Sequence, residues 1–293
     1  MSNVLLLREP SSITGDRYEI AFNMAGYHAI SVPVLETVFV NLPGLKSIVK
    51  EGPTVERFDG VIITSGRACE AWKTVVHDLV KLPPNPEGLS RDGWSTIPFF
   101  VVGHGTAAAL SEVRKTYGST MFTPEILRGE PSGTGEKLAQ FILDGPHEKP
   151  KKLLYLTGDK NRDTVPKILE GAGVELWPLK VYETQGSTSF ERDLAKVMES
   201  APTASMRWWV VHFAPSAAGF VTPVLRKYFK LPSSDRGKDA ENPLPTPRTA
   251  AIGPVTTSFM RDELNISVDV TALNPTPQDL LAAIIANEQD FRN

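Results

Sequence analysis

Short, wholly apolar runs recur along this chain, and most are followed by segments whose apolar positions fall three or four apart. The runs are Val4 to Leu7, Val61 to Ile63, Phe99 to Val102 and Leu153 to Leu156. A short run without polar alternation predicts a strand buried on both faces. Ala29 to Leu35 reads as another strand and Met121-Phe122 as a brief one, and Arg207 to Phe213 reads as the longest strand of the second half. Helices are predicted near Asp16 to Met24, stopped by Gly26, and from a Ser65 cap through Ala68, Trp72, Val75, Val76 and Leu79. Two more hold Ala107 to Leu110 with Val113, and Gly133 through Leu138 and Ile142. Strands alternating with helices imply an α/β protein with parallel sheets and helices on both faces, of the flavodoxin-like, doubly wound kind.

The pattern occurs twice. Val4 to Leu7 answers to Leu153 to Leu156, and Gly60 to Ala68 answers to Trp209 to Ala217. Val102-Gly103-His104-Gly105-Thr106 answers to Ile252-Gly253-Pro254-Val255-Thr256, and Gly133 to Leu138 answers to Pro275 to Leu280. The order is the same in both halves, which points to two copies of one αβ unit, too few for a solenoid. Two extended stretches, Pro33-Val34-Leu35-Glu36-Thr37 and Lys180-Val181-Tyr182-Glu183-Thr184, close on the same Glu-Thr pair. The segment Pro146 to Lys152 separates the copies, Leu82 to Trp94 reads as a surface loop, and the proline-rich, charged stretch 231–248 reads as a mobile insertion in the second copy.

Composition narrows the partners. The chain has 293 residues, enough for two domains, with 41% hydrophobic and 22% charged residues, as in ordinary globular proteins. A net charge of −3 gives no reason to expect nucleic acid. No apolar run approaches the roughly 18 residues of a membrane helix, and the N-terminus lacks the pattern of a signal peptide, so no membrane association is expected. The single cysteine, Cys69, excludes an internal disulfide, fits a reducing compartment and reads as a small buried residue; a cytoplasmic location is expected.

Ligands of open α/β sheets bind beyond the carboxyl ends of the strands, against helix N-termini. Four such loops combine small residues with a hydroxyl: Thr64-Ser65-Gly66-Arg67, Gly103-His104-Gly105-Thr106, Ala214-Pro215-Ser216-Ala217 and Gly253-Pro254-Val255-Thr256. A fifth, Gly158-Asp159-Lys160-Asn161-Arg162, adds two cations. Free N–H groups at positive dipole ends suit anions. Taken singly, each hydroxyl is explained as an N-cap; taken together, the loops predict a cleft for a ligand with many negative groups. No Gly-x-Gly-x-x-Gly fingerprint, Walker loop, Gly-x-Ser-x-Gly elbow or metal-binding motif is present, so no cofactor and no metal are expected. Of the histidines, His104 fits a capping loop and His212 a satisfied core position.

These residues carry a resemblance. Gly60 to Ser65, Val102-Gly103 with Thr106, Val181-Tyr182-Glu183-Thr184, Phe213-Ala214-Pro215-Ser216, Ala251 to Pro254 and Pro275-Thr276-Pro277, in this order and spacing, resemble the uroporphyrinogen-III synthase (HemD) family, from about Val4 to Ile285. The insertion is more like that of fungal members. The resemblance implies two HemD-like αβ domains joined by a two-stranded linker, with the ligand cleft between them. Domain one would comprise residues 1–34 and 183–293, domain two residues 38–178, and the linker strands 33–37 and 179–184. It implies a lyase that closes the linear tetrapyrrole hydroxymethylbilane, bearing eight carboxylates, with loss of water and inversion of ring D. A monomer is expected.

Tyr182 matches the tyrosine that the family places at the cleft, where a phenol can donate to the departing hydroxyl, and is the implied catalytic residue. Thr64, Ser65, Arg67, Thr106, Ser216 and Thr256 match positions lining the cleft, and Gly103, Gly158, Lys160, Arg162 and Gly253 complete the substrate-binding set drawn from the loops. Gly66 and Ala217 depart from the family pattern, which has a proline and a glycine there. The competing reading is a two-domain hinge-type protein that binds a small molecule or regulates without catalysis.

Overall fold

The computed structural model describes the chain except residues 1, 12–14, 83–92, 146–147, 202–206, 234–243 and 291–293. In chain order the elements are β1 (Asn3–Leu7), α1 (Arg17–Met24), β2 (His28–Val32), β3 (Leu35–Phe39), α2 (Leu42–Glu51), α3 (Pro53–Glu56), β4 (Gly60–Ile63) and α4 (Gly66–Val80). There follow β5 (Pro98–Val101), α5 (Gly103–Tyr117), β6 (Ile126–Arg128), α6 (Gly135–Asp144), β7 (Lys152–Gly158), α7 (Thr164–Gly171) and β8 (Glu175–Gly186). The chain ends with α8 (Phe190–Ser200), β9 (Trp208–His212), α9 (Pro215–Tyr228), β10 (Arg248–Ala251), α10 (Pro254–Asp262), β11 (Val270–Thr271) and α11 (Pro277–Asp290).

The chain divides into two compact units, residues 1–36 with 185–293 and residues 37–184. The first holds a five-stranded sheet in the order β11-β10-β9-β1-β2, with parallel pairings throughout. The sheet of the second runs β3-β8-β7-β4-β5-β6, and β4 to β8 pair in parallel. In chain order the first is a 2-1-3-4-5 sheet of the flavodoxin-like kind, and the second has the same arrangement circularly permuted, with β7 and β8 in the first two places and β3 added at the edge. In the first sheet β1 and β2 play the roles that β7 and β8 play in the second, β9 that of β4, and β10 that of β5. The internal repeat is therefore present, but β1 pairs with β9, a strand from the last third of the chain, and β2 pairs with β1 at the edge of the same sheet.

Each apolar run serves two cores because successive side chains point to opposite faces. Leu5 and Leu7 enter one cluster with Val210 and Leu225, while Val4 and Leu6 enter another with Val211 and Leu280. In the second unit Val61 and Ile63 pack with Trp72 and Leu110, and Ile62 with Leu138 and Leu169. Trp72 and Trp94 meet edge to face at 5.2 Å, and their indole N–H groups donate to the carbonyls of Phe122 (3.2 Å) and Val49 (2.8 Å). Cutting either side chain back to alanine should cost about 3–5 kcal/mol.

Four expectations change. Ala29 to Leu35 is not one strand: β2 ends at Val32 and β3 begins at Leu35, because Pro33 has no N–H for the ladder. Met121-Phe122 is a turn, held by Thr123 Oγ1 donating to the Thr120 carbonyl (2.8 Å), and the strand comes later, at β6. Arg207 to Phe213 is not the longest strand of the second half: β8 has 12 residues and β9 has 5. The flanks of the 231–248 stretch are tied down, Ser233 bridging to Ile266 and Lys230 N–H donating to the Pro245 carbonyl at 3.0 Å. Residues 234–243, and most of the Leu82–Trp94 loop, lie outside the described residues.

Candidate functional site

In the second unit the carboxyl ends of β4, β5 and β7 feed α4, α5 and the loop before α7. Ser65 is the N-cap of α4, its hydroxyl accepting the N–H of Ala68 at 3.2 Å. Thr134 caps α6 in the same way. A cavity of about 480 Å³ opens at this edge, and Thr64, Ser65, Lys160, Arg162 and Tyr182 line it, together with Gly133, Thr134, Tyr155, Asn161 and Thr164. Five of the expected residues thus share one cavity.

Tyr182 is 9% exposed and its ring reaches the hydrophobic cluster of this unit. Two other expected residues flank it. The Arg67 guanidinium carbon lies 5.8 Å from its ring centroid, and Gly158 lies beneath it, so close that a Cβ there would fall 2.7 Å from the phenol oxygen. Gly103 starts α5 in the left-handed region, at φ 76°, with open space where a Cβ would be. Thr106 is only 8% exposed, and its carbonyl faces the Cys69 thiol at 3.7 Å. Burial, with the Glu70 charge behind it, pushes that thiol up to about 12, so Cys69 is an inert core residue.

The first unit presents the equivalent edge. Ser216 is exposed in the first turn of α9, Gly253 is the N-cap residue of α10, and Thr256, in its first turn, is 3% exposed. None of Ser216, Thr256 or Thr106 is an N-cap: those positions are Ala214, Gly253 and Val102, none of which makes a side-chain cap bond. The capping explanation holds for Ser65 alone among the expected hydroxyls. First-turn N–H groups of α9 and α10 are left without side-chain acceptors, the arrangement that suits an anion.

Sequence reasoning missed several residues at these edges. Arg8 follows β1, pairs with Asp16 and stacks over Tyr18 (4.9 Å) and Phe213 (5.4 Å). Burial opposes ionisation of Asp16, yet hydrogen bonds from Ser11, Glu19, Arg8 and Tyr18 hold its carboxyl below the usual range. Tyr155 was hidden inside a strand run, and burial raises its pKa against the lowering effect of a hydrogen bond with Thr64. Thr134 could have been found from the Gly-Thr-Gly at a helix start.

His212 is a correction. It is 1% exposed, and among the described residues neither ring nitrogen has a hydrogen-bond partner. It lies in a buried strand opposite Leu7 of β1 and Ala251 of β10, and burial drives its pKa down to about 4. His104 is exposed and pairs with Glu130. Among the described residues no group of His, Cys, Asp and Glu could hold a metal ion, and no helix is long and apolar enough to cross a membrane.

The family described as uroporphyrinogen-III synthase HemD matches residues 16–282. The chain therefore belongs to the uroporphyrinogen-III synthase HemD family. A uroporphyrinogen-III synthase of Saccharomyces cerevisiae is 26% identical over 288 residues, covering 96% of this chain and 94% of that protein. Among solved structures, a mutant uroporphyrinogen III synthase from Thermus thermophilus is 15% identical with a TM-score of 0.41, covering 99% of this chain and 100% of that one. A uroporphyrinogen-III synthetase from Helicobacter pylori is 17% identical with a TM-score of 0.42, covering 98% and 99%.

Proposed function

We propose that this chain acts as a uroporphyrinogen-III synthase, a cyclising lyase that converts hydroxymethylbilane to uroporphyrinogen III. The observation that carries the reading is Tyr182, a phenol in a cavity lined by hydroxyls, helix N-termini and the cations Lys160 and Arg162. The reaction needs few ionisable groups. The C–O bond of the hydroxymethyl group breaks as the ring A nitrogen pushes in its electron pair. The hydroxyl departs as water, Tyr182 donating to it, and leaves a cationic azafulvene. That carbon bonds to ring D at its substituted position; the spiro intermediate fragments and recombines, which inverts ring D, and loss of the ring proton restores the aromatic pyrrole. Alignment of tethered partners supplies much of the acceleration.

Eight carboxylates on the substrate explain the chemistry of the loops. In the second unit Arg67, Lys160 and Arg162 offer cations, with Thr64, Ser65, Gly103, Thr106 and Gly158 supplying hydroxyls and backbone around Tyr182. In the first unit Ser216, Gly253 and Thr256 stand at helix starts. We read residues 33–37 and 179–184 as the stretches that join domain one (1–34, 183–293) to domain two (38–178). The net charge of −3 gives no reason to expect nucleic acid as a partner, the single buried cysteine fits the cytoplasm, and we read the chain as a monomer. The test is incubation with freshly prepared hydroxymethylbilane. The III isomer is expected; formation of the spontaneous I isomer alone would overturn the reading.

A further inference from the structure

One hydrogen-bonded chain at the second unit's edge runs through two residues, Asn161 and Tyr155, to which the scheme above gives no role. Asn161, three residues beyond the end of β7, turns back on the strand it follows. Its Oδ1 accepts the N–H of Gly158 at 3.2 Å, and its Nδ2 donates to the hydroxyl of Tyr155 at 3.2 Å. Tyr155 is 3% exposed and hydrogen-bonds in turn with Thr64, at the end of β4. An asparagine that only closed its own turn would need the first of these bonds and not the second. Here one carboxamide ties the turn to a buried anchor.

The other side of Gly158 faces Tyr182. The pairing of β7 with β8 slips by one residue between Thr157 and Gly158, so Thr157 is opposite Lys180 and Gly158 opposite Tyr182. Such a slip, like a bulge, re-aims the side chains beyond it. The phenol oxygen of Tyr182 would lie 2.7 Å from a Cβ on Gly158, inside van der Waals contact, so the hydroxyl end of the ring rests on bare backbone.

We propose that Asn161 is a positioning residue for Tyr182: by clamping the Gly158 backbone to Tyr155 it fixes the surface on which the Tyr182 hydroxyl lies, and Gly158 is needed there because any side chain displaces the phenol. The proposal rests on the reading that the Tyr182 hydroxyl assists departure of water. A hydroxyl acting on a leaving group must be held to within about 0.5 Å, and a supporting residue one contact away decides whether it is.

The experiment follows the position of Tyr182 and turnover separately. Tyrosine labelled with ¹³C at Cζ gives six ring signals, and Tyr182→Phe identifies the one that matters. Asn161→Ala should move that signal, and so should Gly158→Ala and Tyr155→Phe, the last a milder cut at the far end of the clamp should Asn161→Ala fail to fold. With hydroxymethylbilane, Asn161→Ala should lower kcat roughly tenfold while KM stays within about twofold. In a Tyr182→Phe background the same change should cost no more than about twofold further, since the two residues act as one unit. An unmoved Tyr182 signal in these variants would overturn the proposal, whatever the rates. A moved signal with losses that simply multiply would overturn it too, because Asn161 would then act other than through the hydroxyl. Wild-type enzyme that makes no III isomer would sink the functional reading instead, and the labelled signal would still decide whether Asn161 holds Tyr182 in place.

Discussion

The guanidinium carbon of Arg67 stands 5.8 Å from the ring centroid of Tyr182. Arg67 is the second residue of α4 and exposed. A cation in the first turn of a helix opposes the macrodipole, which offsets the roughly 0.5–1 kcal/mol of an exposed cation–π contact, and a bound carboxylate would relieve the conflict. Arg67→Gln should therefore leave the melting temperature unchanged or slightly raised, while KM for hydroxymethylbilane rises by about three- to tenfold with a smaller change in kcat. Thermal melts and initial rates check the two halves of this expectation, and a lower melting temperature with an unchanged KM would contradict both.

Tyr182→Phe keeps the ring in its cluster and removes one donor. If the hydroxyl assists the leaving group, turnover falls by a factor on the order of 10 to 1,000, with little change in melting temperature. Loss should not be total, because the substrate remains aligned. A wild-type rate, or a parallel loss of rate and stability, would mark Tyr182 as a packing residue.

His212 makes stability depend on pH. Its folded-state pKa of about 4 lies below the ordinary 6.5, so the folded chain holds it neutral where the unfolded chain takes up a proton. Its contribution is complete above pH 6.5 and is lost as pH falls toward about 4, at about 1.4 kcal/mol per pH unit, because the unfolded state there binds one more proton. His212→Ile copies Ile63, the residue at the equivalent place in β4, and removes two unpaired buried nitrogens. Denaturant titrations at pH 7, 6 and 5 should show a flatter stability profile in the variant by about one proton. An identical slope in both proteins would contradict the assignment.

Fragments test the pairing of the strands. Residues 37–184 contain β4 to β7 complete and all but the last two residues of β8, whereas residues 1–150 lack β7, the neighbour of β4, and β9, the neighbour of β1. Expressed alone, 37–184 should melt cooperatively and 1–150 should not, as judged by circular dichroism. Cooperative melting of 1–150 would mean that the halves fold in chain order.

Replacing residues 234–243 with a short Gly/Ser linker should leave turnover within about twofold, since the stretch has no apolar periodicity and shortening a chain segment of that length changes the closure entropy little. Keeping Ser233 matters, because it bridges to Ile266 and accepts from Asn265 Nδ2 at 3.2 Å. A large loss of turnover with the melting temperature preserved would assign the stretch a role in the reaction.

The strands, the repeat and the loops that carry the hydroxyls and cations were legible in the sequence by itself, because each depends on local chemistry. Val61-Ile62-Ile63 must be buried on both faces wherever it pairs, and Ser65 caps the helix that starts beside it. Two repeated patterns could equally have folded as consecutive halves. Only the tertiary structure placed β1 beside β9 rather than beside β4, since partner choice among similar strands is set by non-local packing that no window of sequence contains. The same limit applies at the candidate site. Tyr182 stood out as a phenol in a short stretch, but its place opposite Gly158, which Asn161 ties to Tyr155, depends on a one-residue slip between two strands. His212 read as an ordinary core position; that its ring lacks partners is a property of the side chains around it, which meet there only once the sheet has formed.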